Sequence, residues 1–75
     1  MNKKRREQLD IAHKLLSEAS SILDCIKDEE QDALDNIPEN LQSGDKYNVM
    51  ENAIDEIGDA IDSIDSAISS IENIL

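Results

Sequence analysis

Aromatic side chains are nearly missing from this chain: of 75 residues, only Tyr47 carries a ring. Single-stranded bases therefore have no platform on which to stack. Cysteine occurs once, at Cys25, which excludes an internal disulfide framework and fits a reducing compartment, so a cytoplasmic location is expected. Positive charge is scarce as well, with 7 basic residues against 18 acidic ones and a net charge of −11. That balance argues against general binding to a nucleic-acid backbone and suits a surface that meets basic partners. No apolar run approaches the roughly 18 residues needed to cross a bilayer, so no membrane span is expected. The opening Met1-Asn2-Lys3-Lys4-Arg5-Arg6 has the charge of a signal peptide's first region. Glu7, Gln8, Asp10, His13 and Lys14 interrupt the apolar stretch that should follow.

What the chain does have is rhythm. Residues 53–73 read AIDEIGD AIDSIDS AISSIEN, one seven-residue phrase stated three times. Tyr47, Met50, Ile54, Ile57, Ile61, Ile64, Ile68, Ile71 and Leu75 alternate three and four residues apart. Ala53, Ala60, Ala67 and Ile74 recur every seven beside them. Strands need a period of two; this spacing makes an apolar stripe with a narrow shoulder on a helix. The first half carries a rougher stripe: Leu9, Ala12, Leu16, Ala19, Leu23, Ile26, Ala33 and Ile37, with Glu30 intruding. Leu15 and Ile22 widen it on one side and Leu34 on the other.

The spacing predicts a first helix over about 3–36, a connection over about 37–45 and a second helix over about 46–74. Pro38 ends the first helix, because proline disfavours the helical conformation of the residue before it. Pro38-Glu39-Asn40-Leu41 is expected to form a short turn, and Ser43-Gly44-Asp45 a break with an N-cap. Two helices of about 30 residues joined by so short a link fold back antiparallel. The expected fold is all-α, a single helical-hairpin domain. One partner helix cannot cover the apolar surface on offer, so hairpins are expected to associate into a four-helix bundle or larger homo-oligomer. The seam of that assembly is read as Leu15, Leu16, Ile22, Leu23, Ile54, Ile57, Ile61, Ile64, Ile68 and Ile71.

Charge is unevenly placed. From Tyr47 onward come seven acids (Glu51, Asp55, Glu56, Asp59, Asp62, Asp65, Glu72) and no Lys or Arg. The loop end gathers Asp28, Glu29, Glu30, Asp32, Asp35 and Glu39. Lys3, Lys4, Arg5 and Arg6 are expected to lie beside the end of the second helix, near Glu72 and the terminal carboxylate.

Chemistry is thin. His13 and Cys25 lie twelve residues apart on one helix, about 18 Å along its axis, too far to share a metal or act together. The run Asp28-Glu29-Glu30-Gln31-Asp32 falls on a helix and lacks the glycine turn of a calcium loop. Asp62 and Asp65 are close enough to pair, but no pocket is in evidence to divide them into acid and base. Gly44 and Gly58 form no phosphate-cradling loop. Gly58 costs about 1 kcal/mol against alanine inside a helix, which suggests a close contact point. No catalytic residues, metal ligands or cofactor are expected, and the chain is not read as an enzyme.

Glu29, Glu30, Gln31, Asp35, Asn36, Pro38, Asn40, Leu41 and Gln42, followed by Tyr47, Met50, Glu51, Ala53, Ile54 and Asp55, form a distinctive succession. It resembles uncharacterised small acidic helical proteins encoded by phages, prophages and mobile elements of Gram-positive bacteria, over about two-thirds of the chain. The resemblance implies a phage-type source, with the host cytoplasm as location. It also implies a protein that binds and blocks or sequesters a host factor, including a defence factor. The surface expected to do so is acidic: Asp28, Glu29, Asp32, Asp35, Glu39, Asp55, Asp59 and Asp62, facing a host protein with a basic surface. Two alternatives are a structural coiled-coil assembly and a sponge for a small nucleotide signal held between hairpins. The sponge requires the basic start, or Lys14, Lys27 and Lys46, to face one cavity.

Overall fold

The computed structural model describes residues 1–75 as two long helices and a short connection, without strands. Helix α1 spans Lys3–Asp35 and helix α2 spans Asp45–Ile74, with one 3-10 turn at Glu39–Leu41 between them. Asn2 caps α1, its Oδ1 accepting from the Arg5 N–H at 2.9 Å. That bond satisfies one of the orphan donors of the first turn, where four cations otherwise oppose the helix dipole. At the far end Asn36 donates its N–H to the Asp32 and Leu34 carbonyls, and Pro38 follows. Gly44 begins α2 without a side-chain cap, and Asp45 places an acid in the first turn. The first helix ends and the second begins one residue earlier than the periodicity suggests, and the two outer bounds agree with it.

The helices run antiparallel along a rod 59 Å long and 14 by 13 Å across. Its radius of gyration is 17.2 Å, against about 11 Å for a compact domain of this length. The register is fixed by three cross-helix neighbours: His13 with Glu72, Ser20 with Asp65, and Lys27 with Gly58. Each step of seven along α1 matches a step of seven back along α2.

On α2 the expected stripe lines the seam: Ile54 is buried, and Tyr47, Met50, Ile57, Ile61, Ile64, Ile68 and Ile71 are half-buried. On α1 the stripe departs from expectation. Residues seven apart drift by about 20° per heptad on a straight helix. The row Ala12, Ala19, Ile26, Ala33 starts half-buried and turns out of the seam, leaving Ile26 and Ala33 exposed. The adjacent row His13, Ser20, Lys27, Leu34 turns in, and Leu34 ends as a buried side chain. Glu30 keeps its half-buried position at the seam.

The same register corrects the placement of the basic start. Glu72 meets His13, with 3.5 Å between Oε2 and Nε2, and that is the only acid–base side-chain pair within 4 Å. Leu75 is level with about Asp10, so Lys3–Arg6 stand some 6–10 Å beyond it by helical rise and pair with nothing.

Candidate functional site

The hairpin alone has almost no interior, since only Leu34 and Ile54 are buried. Function must therefore be sought on its faces, and these differ. On α1, Ile11, Leu15, Ile22 and Ile26 form a second stripe about 110° around the helix from the seam. On α2, Val49, Ala53, Ala60, Ala67 and Ile74 lie about 80° from the seam. Because α2 runs in the opposite direction, these two rotations bring both stripes to the same side of the rod. The side chains there face solvent: Leu15 and Ile22 are each 61% exposed, Val49 66% and Ile11 58%. Scattered exposed aliphatics need no explanation, but aliphatic rows from both helices gathered on one face do, even with Glu18 and Glu56 set among them. Of the expected seam residues, Leu15 and Ile22 belong to this outer face. Leu16, Leu23 and the six isoleucines belong to the contact between the two helices.

The opposite side is polar. An open cleft of about 680 Å3 is lined by Asp24, Lys27, Gln31, Asp55, Gly58, Asp59 and Asp62, floored by Ile54 and Ile61. A Cβ added at Gly58 would come 3.3 Å from the Lys27 Nζ, so the ammonium lies over the glycine. The close contact suspected at Gly58 is therefore with the tip of a flexible side chain. No carboxylate comes within 4 Å of that ammonium. Further along this side, Ser20 donates to Asp65 Oδ1 at 3.4 Å, and His13 lies beside Glu72.

The structure brings Asp55, Asp59 and Asp62 together in this cleft, and Asp24 joins them, a residue the sequence reading did not select. Asp28, Asp32, Asp35 and Glu39 are exposed near the connection, where Gln31 Nε2 donates to Asp35 at 3.0 Å. Glu29 stands in line with Ile22, on the apolar side. Under the connection, Ile37, Pro38, Leu41, Gly44, Lys46 and Tyr47 enclose a separate hollow of about 460 Å3. Lys27 and Lys46 thus line different cavities, and Lys14 lines neither. His13 and Cys25 remain apart, with Cys25 exposed. No three His, Cys, Asp or Glu side chains are grouped to hold a metal ion, and no helix is long and apolar enough to cross a membrane.

Comparison with protein-family models, with curated proteins and with solved structures yields no match. The functional reading therefore rests on the geometry of these two faces, and the phage-type resemblance on the residues quoted for it.

Proposed function

We propose that this chain is a non-enzymatic interaction module: hairpins associate through the apolar face and present the acidic cleft to a partner with a basic surface. The observation that carries the reading is that the exposed aliphatic rows share one side of the rod, with Glu18, Glu29 and Glu56 among them, while the acidic cleft opens on the other. The accessible surface is 5594 Å2, about 1,000 Å2 more than a compact monomer of this mass would expose. That excess is comparable to the roughly 800 Å2 each partner buries in a standard interface. A four-helix bundle of two hairpins covers the stripe and leaves the cleft outward. On the phage-type resemblance, the basic partner is a host protein that the module blocks or sequesters.

Two measurements test the two halves. The wild type should sediment at a multiple of 8.4 kDa, and the double variant Leu15→Asp/Ile22→Asp at 8.4 kDa with its helix content retained. A wild type at the monomer mass removes the bundle. For the acidic half, Asp55, Asp59 and Asp62 are replaced by Asn, and affinity is measured for a basic protein recovered from host lysate. Binding should weaken in the variant and fall with salt in the wild type, since exposed charges are screened beyond about 10 Å at 0.1 M. Equal affinity and a flat salt response would refute it. The purely structural reading, in which the assembly is itself the product, then takes its place, favoured by the length of the exposed stripe.

A further inference from the structure

We infer that the second copy lies antiparallel on the apolar face, so that Lys3 and Lys4 of each hairpin approach Glu29 and Asp32 of the other. This rests on the self-association proposed above and adds its orientation. The stripe Ile11, Leu15, Ile22, Ile26 has its midpoint between residues 18 and 19. Turned end for end about that midpoint, residues 3–6 come level with residues 31–34. Within one turn of that level, Glu29 stands on the apolar side and Asp32 at its edge, as Lys4 and Lys3 do at the other end.

The apolar stripe itself carries the same code. Lys4 lies seven residues before Ile11 and Glu29 seven after Ile22, so the stripe is closed by a cation at one end and a carboxylate at the other. Within one hairpin these basic residues make no ion pair. A parallel arrangement would stack the two acidic loop ends on each other and the two basic starts likewise. Like charges in register disfavour that arrangement, and opposite charges in register favour the other. The charges here select a direction, while the aliphatic side chains supply the association.

Cross-linking reads the direction. Two single-cysteine chains are made in a Cys25→Ser background, one with Gln8→Cys and one with Ala33→Cys. Both positions are exposed and uncharged, and both lie along the apolar side. Residue 8 comes level with residue 29 of the other copy and so stands about 6 Å along the axis from its residue 33. Each chain is first checked by sedimentation, then mixed and treated with a bismaleimide long enough to bridge that offset, and the cross-links are identified by mass. The antiparallel dimer yields the mixed 8–33 cross-link, with loss of both same-residue products. Same-residue cross-links, or a statistical mixture, from chains that sediment as oligomers would overturn the orientation and leave self-association standing. A monomer mass for the unmixed chains and for the wild type would overturn both. Replacing Lys3 and Lys4 with Glu supplies a second readout, abolishing the excess of the mixed cross-link while helix content is unchanged.

Discussion

Among single residues, Gly58 shows how far the sequence could be read. A glycine inside a regular heptad invites the idea of close approach, and the structure supplies the neighbour, the Lys27 ammonium lying over it. Which residue approaches could not be known without the register, because any heptad of α1 might face Gly58 on periodicity alone. The identity of the neighbour decides the energetics. A methyl group added at Gly58 meets the far end of a long side chain, which can swing aside within an open cleft. The gain in helix propensity, up to about 1 kcal/mol, should therefore outweigh the displacement. Gly58→Ala is expected to raise the chemical-denaturation midpoint, by an amount equivalent to about 0.5–1 kcal/mol. A lowered midpoint would mean that Lys27 is held in place by its acidic surroundings. Asp24 completes those surroundings, and nothing in its sequence neighbourhood distinguished it from the other acids of the first helix.

At the level of elements, α2 was legible almost residue by residue and α1 was not. The unbroken isoleucine rhythm leaves α2 one apolar side, and Tyr47 to Ile71 line the seam in the expected order. In α1 three rows compete, and choosing among them depends on whether the helices wind about each other. Ile26 and Ala33 face solvent while Lys27 is half-buried and Leu34 buried, although aliphatic character alone favoured Ile26. The connection was readable in outline because proline and glycine act through local backbone geometry. The stripe assignment on α2 has a direct check. Ile61→Asp or Ile64→Asp places a carboxylate against the opposing helix, at a cost of several kcal/mol. Loss of the circular-dichroism helix signal is expected for either. Asp62→Ala and Ser63→Ala, on exposed positions, should leave stability within about 0.5 kcal/mol. Equal tolerance at both kinds of position would contradict the packing described here.

Across the whole molecule, the sequence announced an acidic hairpin with surplus apolar surface but not the sidedness of either property. That sidedness depends on the opposite chain directions of the two helices, which turn stripes lying to different sides of their own seams onto a common face. The basic start was misplaced for a related reason, since its level along the rod follows from a register only the cross-helix contacts reveal. One further feature of the rod bears on its motion. Both buried side chains, Leu34 and Ile54, sit in the half nearest the connection. From there toward Leu9 and Leu75 the seam is only half covered. The hairpin is thus hinged at its turn and loosely held at its mouth, and its arms can part as a pair of tweezers does. Amide exchange should follow that gradient, slowest around Leu34 and Ile54 and faster in steps toward Leu16 and Ile71, since local opening costs least where least is buried. Uniform protection along both arms would show that the mouth is closed. A gradient in the isolated hairpin that disappears on self-association would mark the second copy as the clasp.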